Sequence, residues 1–454
     1  MDTIAAIATP PGKGAIGIIR LSGPDVSRVA GELLGHLPPP RSAELSSFRA
    51  ADGTALDLGL ALYFPAPASY TGEDMLELHG HGGPVVLDAL MRRVLQLGCR
   101  SARPGEFSER AYLNGKLDIA QAEAVADLID AATSAAARAA VRSLQGAFST
   151  RVNELLEQLT ELRAYTEAAI DFPDEEVEFL ASGAIAARLE RLLAAFDALK
   201  VVARQGALLR EGLTVVIAGK PNAGKSSLMN LLAGTEVSIV AELPGTTRDV
   251  LRERVQLDGV PLHLIDTAGL RASADPVEAE GIRRAEREMR AADRLLYIVD
   301  ATTLSADVLA GGKASALERE LLLLPAGIAV TIVFNKIDLL GVASFTDETA
   351  QPSRLALSAR TGEGIDELRN HLKAIAGIPE GGEGAMSARR RHLDALERAR
   401  THVQNAANSL TERGAAELSA EDLRLAQQAL GEITGEFTSD DLLGKIFGSF
   451  CIGK

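Results

Sequence analysis

Val215-Val216-Ile217-Ala218-Gly219-Lys220-Pro221-Asn222-Ala223-Gly224-Lys225-Ser226-Ser227 decides how the fold of this chain is read. A short apolar run reads as a buried strand, a glycine-rich loop follows it, and Ser227 to Leu231 reads as the start of a helix. This is the G-x-x-x-x-G-K-[ST] phosphate loop in its structural context. Its two glycines let backbone N–H groups turn inward around phosphate oxygens, and the helix start adds the positive end of its dipole. In that arrangement Lys225 reaches the terminal phosphates and the Ser226 hydroxyl holds Mg²⁺.

Three later stretches give the nucleotide its identity. Leu264-Ile265-Asp266-Thr267-Ala268-Gly269 ends an apolar strand in D-x-x-G, which suits an Asp on the metal's water shell and a Gly beside the γ-phosphate. Thr331-Ile332-Val333-Phe334 leads into Asn335-Lys336-Ile337-Asp338, whose last carboxylate can accept two hydrogen bonds from the guanine N1–H and N2–H₂ edge. Adenine offers no such pair and would leave that carboxylate unpaired. Ser358-Ala359 follows the predicted strand Leu355-Ala356-Leu357 and fits a loop backing the base. Four motifs in order, each at a strand end, predict a guanine-nucleotide hydrolase domain over residues 212–377.

The rest of the chain has room for more. Its 454 residues suit about three or four domains. It is 46% hydrophobic, yet no apolar run approaches the roughly 20 residues a bilayer span needs. Met1-Asp2-Thr3 lacks a basic segment before a hydrophobic one, so no secretory signal is expected. Two cysteines, Cys99 and Cys451, argue against a disulfide framework and suit a reducing cytoplasm. A net charge of −15 excludes a protein that simply coats nucleic acid; any RNA contact must be local or shared with a partner.

Residues 1–118 read as an α+β unit. Strands are predicted at Thr3 to Ala8, Ala15 to Leu21, Leu60 to Phe64 and Met75 to His79, with helices opening at Asp25 and running from Val85 to Leu97. His79-Gly80-His81 invites a metal reading, but no third ligand sits at metal spacing, which favours a tight turn with surface imidazoles. Arg103 to Asp118 is dense in charge and broken by Gly and Pro, so composition alone leaves it open between a solvated loop and a functional stretch. From Ile119 to Ile170 the chain reads as helical, with Leu144, Phe148, Val152, Leu155, Leu159 and Leu162 on one face of a long helix. Ile185, Leu189, Leu192, Phe196 and Leu199 renew that period, and Leu393, Leu396, Val403, Ala407 and Leu410 carry a third stripe. Ser419-Ala-Glu-Asp422 reads as the cap of the next helix, Gly435 as its stop, and Thr438-Ser439-Asp440 as the start of a last one. Residues 119–211 and 378–454 are thus expected to pack as one all-α bundle. The nucleotide domain is inserted between them, its ends near Gly212 and Pro379 close in space.

The whole chain resembles the tRNA-modification GTPase MnmE (TrmE) family. The likeness rests on Thr9-Pro-Pro-Gly12, Ser69-Tyr-Thr-Gly-Glu-Asp74, His81-Gly-Gly83, Pro104-Gly-Glu-Phe107, Leu113-Asn-Gly-Lys-Leu-Asp118, Gln121-Ala-Glu-Ala124, Gly245-Thr-Thr-Arg-Asp249, the nucleotide motifs and Cys451-Ile-Gly-Lys454 at the end. It departs from the pattern at Gly80, Ser108-Glu109 and Tyr112, where relatives often carry Cys, Thr-Lys and Phe. The resemblance implies a cytoplasmic homodimer with a folate-binding-like, dimerising amino-terminal domain, a helical domain and an inserted Ras-like α/β GTPase domain. It implies an FAD-containing partner, MnmG (GidA); FAD enters only through that partner. It also implies tRNA as substrate, an aminomethyl-type group added at C5 of the wobble uridine, and a tetrahydrofolate derivative (5-formyl or 5,10-methylene) as one-carbon source.

Matching positions carry roles across. GTP would be bound by Asn222, Ala223, Gly224, Lys225, Ser226, Ser227, Thr246, Thr247, Asp266, Thr267, Ala268, Gly269, Asn335, Lys336, Asp338, Ser358, Ala359 and Arg360. Mg²⁺ would be held by Ser226 and Thr247, and K⁺ by the Asn222 side chain, the Ala241 and Leu243 carbonyls and Thr246. Glu278 matches the family's catalytic acid, working with Lys225 and Thr247, and Cys451 lies near the modification centre. Folate falls to Arg20, Glu77, Lys116 and Lys454; a carboxylate suits the pterin's donor edge, and cations suit the glutamate tail. A non-catalytic switch that recruits ribosomal or stress-response partners is the competing reading, but it needs neither a folate-like domain nor the Cys-Ile-Gly-Lys tail.

Overall fold

A computed structural model describes residues 2–171, 184–234, 252–266, 289–290, 292–305, 315–325, 327–377, 384–413, 415–436 and 440–453. The chain forms two compact units, one of Met1–Ile129, Ser143–Asp197 and Asp394–Lys454, the other of Asp130–Arg142 and Ala198–Leu393. No helix among the described residues is long and apolar enough to cross a membrane.

The first unit carries a six-stranded sheet. Its strands are β1 (Ile4–Ile7), β2 (Gly14–Ser22), β3 (Glu44–Arg49), β4 (Ala55–Phe64), β5 (Met75–Gly82) and β6 (Arg100–Ser101), in spatial order β3-β4-β5-β2-β1-β6. Alternation along the strands sends Ile19, Leu21, Leu76 and Leu78 to one face, where the helices Val26–Leu34 and Pro84–Gln96 cover them. On the other face Ile4, Ala6 and Met75 pack with Phe107 from the helix Glu106–Leu113. His79 and His81 lie on β5 rather than in a tight turn. Two-residue spacing puts both on one face, and each is bonded to a carboxylate: His79 Nε2 to Glu77 at 3.0 Å, His81 Nδ1 to Asp57 at 2.7 Å. Among the described residues no group of three or more His, Cys, Asp or Glu could hold a metal.

The charge-dense stretch after Arg103 is no solvated loop. Its helix buries Glu106 and Arg110, and Arg110 bridges Glu73 at 2.9 Å, Asp2 at 2.8 Å and Glu106 at 3.3 Å. Burial alone would raise the Glu106 carboxyl, but hydrogen bonds from Arg100 and the Arg103 backbone hold it below the usual range. Arg100 likewise holds Asp2 far down. Both titrate lower in the fold than in the unfolded chain, so their stabilisation is complete above about pH 5 and is lost as the pH falls below about 4. Arg110→Met, which leaves the half-buried Glu73 without its cation while Glu106 keeps Arg100, is expected to cost about 3–5 kcal/mol. A denaturant midpoint for this unit equal to wild type would contradict that.

The helical part follows its predicted stripes. Phe148, Val152, Leu155, Leu159 and Leu162 are buried on the helix Ala147–Asp171, and Ile185, Leu189, Leu192, Phe196 and Leu199 on the helix Ala184–Glu211. The helical stretch from Ile119 resolves into three helices, Ile119–Ile129, Ser134–Leu144 and Ala147–Asp171, so that Leu144 ends the second and the rest of its stripe lies on the third. Gly146, at φ 88°, breaks the last junction, and the Thr133 hydroxyl caps the middle helix through the Ala136 N–H at 3.1 Å. Ser419 does not cap the next helix, which runs Ala416–Thr434 and buries Ser419 within it. Ala416, Glu417 and Leu418 are all good helix formers and extend the helix back by a turn. Gly435 closes it as predicted, at φ 101°.

The second unit is built on seven strands, β7 (Leu213–Gly219), β8 (Arg252–Leu257), β9 (Val260–Asp266), β10 (Arg294–Asp300), β11 (Val330–Asn335), β12 (Phe345–Asp347) and β13 (Ser353–Ala356). Their order is β12-β13-β11-β10-β7-β9-β8, with β9, β7, β10, β11 and β13 parallel and the two edges antiparallel. Val215 and Ile217 face one apolar core and Val216 and Ala218 another, which is why β7 is apolar throughout. Such a sheet gathers the carboxyl ends of its strands on one edge, where ligands of open α/β folds bind.

Candidate functional site

Gly219, Asp266, Asp300 and Asn335 close β7, β9, β10 and β11, and Ser358 lies two residues beyond β13. The phosphate loop leaves β7 with Gly219 at φ 144°, Asn222 at 63° and Gly224 at 96°. A Cβ on Gly219 would sit 2.2 Å from the Ile298 carbonyl, and one on Gly224 2.1 Å from the Asn335 amide, so neither position admits a side chain. The helix after the loop starts at Lys225, two residues earlier than the sequence suggested, which leaves its first N–H groups for an anion. Lys225 is buried, its ammonium held over the loop by the Gly219 carbonyl at 3.1 Å and the Lys220 carbonyl at 2.9 Å.

Asn335 joins this loop to the base-recognition side. Its amide donates to the Ala223 carbonyl at 2.8 Å, while its Oδ1 accepts the Lys336 N–H at 2.8 Å and the Ala359 N–H at 2.9 Å. Lys336 takes φ 70° and its ammonium bonds Asp300 at 2.5 Å, a partner that sequence reading passed over although it ends a strand like the other motif residues. The Ser358 hydroxyl donates to Asp338 Oδ1 at 2.7 Å, leaving Asp338 Oδ2 without a partner among the described residues. Ala223, Gly224, Lys225, Asn335, Lys336, Asp338, Ser358 and Ala359 are therefore brought together. Ser226, Ser227 and Arg360 are exposed around them, and Asp266 is buried at the end of β9. The Asn222 amide and the Ser226 hydroxyl make no hydrogen bond to a described residue, so both are free to ligate a cation. Ala241, Leu243, Thr246, Thr247, Thr267, Ala268, Gly269 and Glu278 lie outside the described residues, as does Lys454.

The other expected cluster is in the first unit. Arg20 Nε donates to Glu77 at 2.9 Å, and the guanidinium lies 5.7 and 5.8 Å from the ring centres of Tyr70 and Phe107. Burial would raise the Glu77 carboxyl, but His79 and Arg20 together hold it ionised, below the usual range. Arg20 also meets the Gly453 carbonyl at 3.5 Å, and the Cys451 carbonyl accepts the Gly105 N–H at 3.3 Å, so the carboxy-terminal tail is docked on the amino-terminal sheet. Lys116 instead reaches the Pro67 carbonyl at 3.0 Å. The Ser69–Asp74 motif is scaffolding: Ser22 and Arg110 both bond Glu73, and the Tyr70 hydroxyl meets Ser108 at 2.8 Å.

Comparison with known proteins matches both ends of this arrangement. A family profile described as the MnmE helical domain matches residues 119–451, well over half the chain, and one described as the GTP-binding protein TrmE N-terminus matches residues 3–116. The chain belongs to the MnmE/TrmE family. It is a multidomain α/β protein and a GTP hydrolase acting in tRNA modification. Solved structures similar to part of this MnmE/TrmE chain include the G domain of the T. maritima FeoB iron transporter, 25% identical over 36% of this chain and 98% of that one, with a TM-score of 0.26. The Y63A variant of Aquifex aeolicus Era bound to GDP·AlF₄⁻ is 26% identical over 42% of this chain and 66% of that one, also with a TM-score of 0.26. The FeoB G domain of Methanococcus jannaschii is 26% identical over 36% and 98%, again with a TM-score of 0.26.

Proposed function

We propose that this chain is the GTP-hydrolysing component of an enzyme that builds a carboxymethylaminomethyl- or aminomethyl-type group at C5 of the wobble uridine, position 34, of certain tRNAs. It takes a one-carbon unit from a tetrahydrofolate derivative and works with the FAD-containing MnmG (GidA). The observation that supports this reading is the docked tail, which sets Gly453 against Arg20 on the sheet that also carries Glu77, and Cys451 against Gly105 at the start of the neighbouring helix. A GTPase acting only as a switch has no use for that junction. The Glu77 carboxylate is suited to the donor edge of a pterin, since each of its oxygens retains acceptor capacity beyond Arg20 and His79. A homodimer fits the β3–β4 end of the face that Phe107 covers at its other end. Cross-strand register aligns Leu45, Leu60, His79 and Ile18 in one row, and Leu45, Leu58 and Leu60 are 66, 55 and 41% exposed there.

The reading is tested in cells lacking the protein: mass analysis of tRNA should find wobble uridines without the C5 group, and their normal modification would refute it. For the folate half, deleting residues 451–454 should abolish 5-formyltetrahydrofolate binding by calorimetry while GTP hydrolysis survives. Undiminished binding by the truncated protein would sink the assignment of the tail to the pocket.

A further inference from the structure

The phosphate loop is tied down at both ends, and only one tie belongs to the motifs. At Ala223 the tie is the Asn335 amide. At the other end the Lys220 ammonium pairs with Glu320 Oε1 at 2.5 Å, from the helix Ser315–Leu321. Glu320 is itself fixed, because the Tyr297 hydroxyl on β10 donates to its Oε2 at 2.7 Å and Tyr297 is buried in the core. Burial alone would raise the Glu320 carboxyl; Lys220 and Tyr297 outweigh it and keep the group ionised. The chain of contacts then runs inward: the Lys220 carbonyl accepts both the Lys225 ammonium at 2.9 Å and the Ala223 N–H at 3.4 Å.

We propose that Glu320 is a positioning residue for the nucleotide site, acting through Lys220 to fix the carbonyl that aims Lys225 at the phosphates. This inference rests on GTP as the ligand of the loop and not on the tRNA reaction, so its test needs no tRNA. Lys220 is 70% exposed at its side chain and Glu320 26%, which limits the pair to a modest effect. Glu320→Gln keeps an acceptor for Tyr297 but removes the charge that holds Lys220; Lys220→Met removes the other partner from an exposed position on which folding does not depend. Dissociation of a fluorescent GDP analogue from the full chain with Mg²⁺ should quicken about two- to fivefold in each variant. The double variant should be no faster than the quicker single one, because both remove the same contact. Lys220→Arg should return to within about twofold of wild type, since a guanidinium also reaches a carboxylate. Unchanged dissociation in the single variants would overturn the proposal. So would effects that multiply in the double variant, or a lowered melting temperature with no change in dissociation, which marks a merely structural contact.

Discussion

Asp338→Asn is expected to weaken GTP binding by about 10²–10⁴-fold, since two hydrogen bonds to a charged group at about 1.5–3 kcal/mol each are lost or inverted. The Ser358 hydroxyl already occupies one lone pair of Asp338 Oδ1 at 2.7 Å, which orients the carboxylate, and Oδ2 remains open toward a base. A guanine edge offers N1–H and N2–H₂, and both need acceptors. An asparagine in the same orientation keeps one acceptor but turns an N–H₂ donor toward a second donor. Xanthine carries a carbonyl where guanine has its amine, so the variant should gain xanthosine triphosphate as it loses GTP. The stability of the nucleotide-free protein should not move, because the Ser358 bond survives in the amide. Fluorescence titration with both nucleotides decides it; an unchanged GTP affinity means that Asp338 does not read the base.

The nucleotide site was legible because its chemistry dictates residue type at fixed points of a repeated strand-to-loop pattern. Gly219 and Gly224 are where no Cβ fits, and Asn335 is where one amide must satisfy three backbone groups. Those requirements act within a few residues of each motif. What the sequence hid are pairings over long separations. Nothing near Lys220 announces Glu320, and only the family resemblance, not any residue near Arg20, brings the carboxy-terminal tail to it. Composition also left the answer open where charge is internal: Arg103 to Asp118 has the polarity of a loop, yet Glu106 and Arg110 are buried because they neutralise each other and Glu73. His79 and His81 read as a turn because of the glycine between them, but Gly80 serves the strand. A Cβ there would lie 2.5 Å from Asp57 Oδ2, the carboxylate that accepts from His81. Ser419 shows the converse, a capping residue type overridden by the helix formers before it.

Glu278→Ala is expected to leave GTP binding intact while hydrolysis falls by about 10²–10⁴, the range for a lost acid–base or positioning group. Many small GTPases orient the attacking water with a Gln just after D-x-x-G, and here that place is Leu270, whose side chain has no polar atom to hold water. The water must be held by another group, and we propose Glu278 in Asp275-Pro276-Val277-Glu278, the position to which the resemblance assigns the catalytic acid. Nor does the sequence offer an arginine finger. The Asn222 amide, the Ala241 and Leu243 carbonyls and Thr246 would instead hold K⁺ near the phosphates, where its charge substitutes for a guanidinium. Asn222 meets one requirement of that role, standing exposed at φ 63° in the phosphate loop. Hydrolysis should therefore run faster in K⁺ than in Na⁺ at equal ionic strength, and pairing of two G domains should need both K⁺ and a transition-state mimic. The two readouts separate the two parts of the mechanism. Glu278→Ala should remain K⁺-sensitive in its G-domain pairing, because the ion's ligands are untouched, and yet turn over slowly. Equal wild-type rates in both salts would remove the ion from the mechanism, and full activity in Glu278→Ala would remove the acid.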